Sequence, residues 1–92
     1  MSTLPISVLI VDDNKHMRTI VRTMLHGIGV RWIHEAADGL EAFSLMLSQA
    51  VDLVVTDLSM PRLNGIELIR KIRDERASPN PYIPIIVLSG HS

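Results

Sequence analysis

"VVTDLSMPRLNG", residues 54–65, carries an apolar run into an acid and then into a helix start. The run ends on Asp57. Pro61 shapes the turn that follows, and Asn64-Gly65 opens a stretch of helical periodicity. A second run upstream has the same form: "ISVLIV", residues 6–11, ends on Asp12-Asp13. Short, continuous apolar runs bounded by turn residues read as central strands buried on both faces. Such a strand has no local need for a carboxylate at its end, so Asp57 calls for a reason.

The rest of the chain supplies the frame. After Asp13, Asn14 is placed to cap a helix. Met17, Ile20, Val21, Met24, Leu25 and Ile28 recur at steps of three and four, which puts them on one face, with Lys15, Arg18 and Arg22 largely outside. Gly27 or Gly29 is placed to stop it. A second strand is expected over 31–36, with Trp32 and His34 alternating against Ile33, followed by a turn at "ADG", 37–39. Leu40, Phe43 and Leu47 form a helical stripe to about Gln49. The third strand is "DLVVTD", 52–57. Ile66, Leu68, Ile69 and Ile72 mark a third helix, capped by Asn64 and ending near Arg76. A Pro-rich loop, 77–84, overlaps the start of a fourth strand in "YIPIIVLS", 82–89. Strands alternating with helices of this length imply right-handed crossovers and a mainly parallel sheet with helices on both faces. Ligands of such sheets bind outside the carboxyl ends of the strands. Asp12, Asp13, Asp57 and Ser89 all fall at that edge.

Ninety-two residues predict one domain with a small core, burying roughly 60–70% of the surface the unfolded chain exposes. The net charge of −1 leaves no electrostatic footprint for nucleic acid or anionic lipid, and one Trp, one Tyr and one Phe offer little for base stacking. The chain has no cysteine, which excludes disulfides and thiolate zinc sites. "MSTLPISVLIVDD" lacks a basic leader and its apolar run is too short to span a membrane. The reading is a soluble, cytoplasmic protein.

If the first and third strands are neighbours, Asp12, Asp13 and Asp57 converge. Close carboxylates repel, so either a proton is shared or a cation sits among them. Oxygen-only ligands suit a hard ion such as Mg²⁺. A metal beside a nucleophilic carboxylate is a device for accepting a phosphoryl group, to which Ser89 and backbone amides after Asp57 and Ser89 would donate. Taken singly, Asp12 and Asp13 are no more than the helix-start acids that the dipole favours. Capping does not explain three acids and a hydroxyl at the ends of separate strands. The four histidines show no metal-ligand spacing and read as surface or packing residues. Met17, Met24 and Met46 read as core or rim filler. The basic stretch Arg70, Lys71, Arg73 and Arg76 reads as a solvated helix face.

"VLIVDDNKHMR", "EAADGLEA", "DLVVTDLSMPRLNGIEL" and "PIIVLSG" together resemble the receiver domain of two-component response regulators, the chemotaxis type included. The resemblance implies a three-layer, flavodoxin-like doubly wound parallel sheet, strand order 2-1-3-4(-5). It implies that Asp57 is the phosphoacceptor. Asp13 would ligate Mg²⁺ with Asp57, Asp12 would do so directly or through water, and the Ser59 backbone carbonyl would complete the protein ligands. Ser89 matches the switch hydroxyl. Gly90 and Ser59 would offer backbone amides to the phosphoryl group, and Pro61 and Gly65 match the loop over the site.

The donor would be a histidine kinase or histidine phosphotransfer protein. The chain would not be an enzyme beyond its self-catalysed phosphorylation and hydrolysis. Residues 15–22 are the expected partner surface. A phosphatase with a nucleophilic Asp would resemble D-x-D there, and Ser59 stands in the second place. The family pattern continues with a fourth helix, a fifth strand bearing a Lys, and a fifth helix, which this chain lacks. The expectation is therefore a receiver domain over 1–92, incomplete at its C-terminus. Its fourth strand would be an edge, Ile83 to Leu88, through which an isolated chain would form a homodimer. The alternative is a phosphorylation-impaired receiver acting as a binding or dimerisation module.

Overall fold

The computed structural model describes residues 3–58 and 64–88. The elements are β1 (Leu4–Val11), α1 (Lys15–Gly27), β2 (Val30–Ala36), α2 (Gly39–Ser48), β3 (Leu53–Asp57), α3 (Gly65–Arg73) and β4 (Ile85–Leu88). The strands form one parallel sheet in the order β2-β1-β3-β4. This is the expected doubly wound arrangement.

β1 lies inside the sheet and is apolar on both faces for that reason. Leu9 and Val11 point into a cluster with Ala42, Phe43 and Met46 of α2 and Leu68 and Ile72 of α3. Val8 points the other way, with Val30 and Val55, toward Val21 and Leu25 of α1. Each fully buried aliphatic side chain contributes roughly 1.5–3 kcal/mol. Thr56 precedes Asp57 in β3, and its buried hydroxyl donates to the Asp57 carbonyl at 2.8 Å.

All three helix starts are capped by side chains. Asn14 accepts from the Met17 amide at 3.2 Å, Asp38 from Glu41 at 2.9 Å and Asn64 from Glu67 at 3.0 Å. Of the two candidate stops for α1, Gly29 holds the left-handed conformation, at φ 95°, and its amide donates to the His26 carbonyl.

Several expectations need correction. α1 turns only Val21 and Leu25 to the sheet and buries none of its residues, whereas Met24 is 66% exposed and is not core filler. Met17, Ile20 and Ile28 are exposed as well. Arg18 and Arg22 do not point away; both reach Glu35 on β2. In α2 the buried stripe is Ala42, Phe43 and Met46, while Leu40 and Leu47 are exposed.

α3 ends at Arg73 rather than near Arg76, because the Asp74 carboxylate accepts from the Arg76 amide at 3.0 Å and folds a turn there. Arg73 is not merely solvated, since it donates to the carbonyls of Pro81 and Ile83 at 2.8 and 2.7 Å. Lys71 sits 4.9 Å above the Phe43 ring. β4 starts at Ile85 rather than Tyr82; Pro84 has no amide to donate, although its carbonyl accepts from Val54 at 3.1 Å.

Candidate functional site: an acidic pocket at the carboxyl edge

β1 and β3 are hydrogen-bonded neighbours, with Val11 opposite Thr56. This register puts the residues after Val11 beside the last residue of β3. Asp12, Asp13 and Asp57 each bring a carboxylate oxygen to one place, with these oxygens all within 4.8 Å of one another. Among the described residues this is the group of acids and histidines arranged to hold a metal. His16, His26 and His34 do not join it.

Each acid has a distinct setting. Asp12 is buried, Asp57 is half-buried and Asp13 is exposed. The Asp12 amide donates to the Ala36 carbonyl at 3.1 Å, and its Oδ1 accepts from the Asn14 amide at 2.8 Å. Burial raises the Asp12 pKa above the usual carboxylate value. The Asn14 hydrogen bond opposes this rise, and repulsion from Asp57 and Asp13 adds to it. An anionic cluster held together against its own repulsion gains from a cation. An all-oxygen donor set, part buried and part open to water, suits a hard divalent ion that keeps some of its waters. The residues therefore fit a Mg²⁺-class metal.

α3 approaches the site from the other side. The Gly65 amide donates to the Leu58 carbonyl at 2.9 Å. A Cβ on Gly65 would stand 2.2 Å from the Asp57 carbonyl oxygen and 2.7 Å from the Leu58 Cα. Only glycine permits this approach of a helix start to the strand end. The expected roles of Ser59, Pro61, Ser89 and Gly90 fall on positions outside the described residues.

The sequence model of the family described as "Response regulator receiver domain" matches residues 8–92. This chain belongs to that family. Chemotaxis protein CheY-3 of Vibrio cholerae is 37% identical over 86 residues, covering 92% of this chain and 64% of that protein. The sensor protein EvgS of Escherichia coli is 38% identical over 78 residues, 83% of this chain but 6% of its own length. A receiver protein structure from Pseudomonas putida superposes with TM-score 0.84 at 34% identity, covering 99% of this chain and 73% of that one. The receiver domain of the Arabidopsis thaliana histidine kinase CKI1, solved with Mg²⁺ and BeF₃⁻, gives 0.84 at 30% identity, covering 95% of this chain and 67% of that one.

The receiver chain is thus a CheY-like module of two-component signalling, and it spans 64% of the length of the chemotaxis relatives it matches. No helix among the described residues is long and apolar enough to cross a membrane.

Sequence reasoning missed Arg18 and Glu35 near this site. The Arg18 guanidinium donates to the Asp12 backbone carbonyl at 2.7 Å and to Glu35 at 3.0 Å. Arg18 and Arg22 are four residues apart on α1, which makes them neighbours on the helix surface. Their common partner lies on β2, and nothing in the helix alone shows which face the sheet covers.

Proposed function

We propose that the receiver chain is the phosphoacceptor of a two-component relay, with Asp57 as the acceptor. The observation that carries this reading is the carboxylate trio at the carboxyl edge of β1 and β3, with ligand oxygens within 4.8 Å. The donor is a phosphohistidine on a sensor kinase or phosphotransfer protein, as receiver relatives inside sensor proteins suggest. Asp12, Asp13 and Asp57 would hold Mg²⁺, together with the Ser59 carbonyl. The metal, when bound, neutralises charge on the oxygens of the transferring phosphoryl group.

The chain's own residues do the rest. β3 holds the Asp57 carboxylate at a fixed place, and one of its oxygens attacks phosphorus. The new O–P bond forms as the P–N bond to the donor imidazole breaks, and the imidazole leaves with the electron pair and takes up a proton. Later a water attacks the same phosphorus, releasing inorganic phosphate and restoring the carboxylate. Ser89 and the amides of Ser59 and Gly90 would contact the phosphoryl group. The chain catalyses nothing beyond these steps on itself.

The test adds Mg²⁺ and a small acyl phosphate to the full chain. The expected product is an acid-stable, hydroxylamine-labile adduct that is lost in Asp57→Asn. A wild-type chain that forms no adduct overturns this function.

The exposed residues of β4, Ile86, Val87 and Leu88, favour a second reading. In it the receiver binds through this strand, a second copy included, without being phosphorylated. Mg²⁺ binding without an adduct, together with a dimer that persists on dilution in light scattering, would select it.

A further inference from the structure

Asp12 is held through its backbone as well as its side chain. Its amide is used by β2 and its Oδ1 by Asn14. Its carbonyl lies one residue past the last paired residue of β1. Arg18 reaches it: Nη1 donates to this carbonyl at 2.7 Å while Nε donates to Glu35 Oε1 at 3.0 Å. The second oxygen of Glu35 accepts from Arg22 Nε at 2.8 Å, and Arg22 Nη2 donates to the Ile33 carbonyl at 3.4 Å. The Arg18 side chain is only 16% exposed, so the fork is held rather than waving in solvent.

We infer that Arg18 is a positioning residue for the Asp12-Asp13 peptide, fixing both metal-binding carboxylates from behind, with Glu35 as its anchor. The inference deepens the proposed metal site and rests on it. A guanidinium suits the task because its planar fork reaches the carbonyl and the carboxylate at once; an ammonium delivers its charge at a single point. The peptide between Asp12 and Asp13 carries both acids, so rotation about it moves both carboxylates. Asp57, on β3, is left in place.

Charge and position make opposite predictions here, and that makes the role testable. A cation beside the cluster repels Mg²⁺, so if Arg18 acted through its charge alone, removing it would tighten metal binding. If it acts by position, removing it weakens binding. Groups that orient ligands without touching the metal typically govern about 10–100-fold in affinity. A residue acting through a backbone carbonyl belongs at the low end of that range.

The experiment measures Mg²⁺ affinity by isothermal titration calorimetry on the full chain, alongside thermal melts in EDTA. The chains compared are wild type, Arg18→Lys, Arg18→Ala, Glu35→Ala and the double variant Arg18→Ala/Glu35→Ala. The expected result is a weakening of about 10-fold in Arg18→Ala. Glu35→Ala should weaken binding by less, and the double variant no more than Arg18→Ala, because the two act as one unit. Arg18→Lys, which keeps the charge, should still bind more weakly than wild type. Variants that remain folded at the titration temperature with unchanged or tighter Mg²⁺ binding overturn the positioning role while leaving the metal site standing. A wild-type chain that binds no Mg²⁺ overturns both. If Arg18→Ala does not fold, Arg18→Lys, which keeps the charge, decides the matter by the same readout.

Discussion

On one face of the sheet, α2 and α3 contribute Ala42, Phe43, Met46, Leu68 and Ile72 to a continuous apolar cluster. On the other face, α1 buries none of its residues. It rests Val21 and Leu25 on the sheet and ties itself to β2 with two arginines that share Glu35. The same contrast recurs at the acidic site. α3 reaches Asp57 by close packing at Gly65, where a Cβ has no room. α1 reaches Asp12 through the directed hydrogen bond of Arg18. Burial gives cohesion without direction, whereas a guanidinium fork selects one geometry. The first arrangement holds the fold; the second addresses a particular peptide beside the acidic cluster.

The sharpest way to break this contrast is at Leu68, which is fully buried under α3. Leu68→Ala is expected to cost about 2–5 kcal/mol in urea unfolding, through lost burial and the cavity left behind. A cost as small as that of a surface change would mean that the α2–α3 face is not the stronger one. Gly65→Ala comes next, since the added methyl must push backbone rather than a flexible side chain. It should cost roughly 1–3 kcal/mol and slow adduct formation at Asp57 as well. Normal stability with normal adduct formation would show that α3 can step back from the strand end.

Glu35→Gln probes the other face. Arg22, by its hydrogen bond, and then Arg18 hold the Glu35 pKa below its ordinary value of 4.5. A depressed folded value means that this stability is full above pH 4.5 and is lost as pH falls through the lower folded value. The wild type should exceed Glu35→Gln by about 0.5–1 kcal/mol at neutral pH and low salt. The gap should shrink in high salt and close in acid. A gap that is independent of pH would place the contribution in packing instead.

Met24→Ala is the smallest. At 66% exposure on α1, the side chain should contribute within about 0.5 kcal/mol. A larger loss in thermal melts would show that this face is covered in solution.

Much of this molecule is legible along the chain, for local reasons. The runs at 6–11 and 54–57 declare buried strands because a strand covered on both faces has no polar side to display. Asn14, Asp38 and Asn64 announce helix starts because a side-chain oxygen there completes an open amide. Faces were harder to read. Leu40 and Leu47 belong to an apolar stripe, yet the sheet lies against Ala42, Phe43 and Met46. Periodicity shows that a helix has an apolar side without ranking two such sides.

The sequence by itself determined the alternation of strands and helices and the delivery of Asp12, Asp13 and Asp57 to strand ends, since hydrophobic periodicity and capping act over a few residues. Only the tertiary structure decided that those acids meet, because their convergence depends on β1 pairing with β3 in the register that sets Val11 against Thr56. It alone turned Arg18 inward, because its two partners lie on β2 and at the end of β1, and the packing of α1 across those strands is what brings them within reach of one side chain.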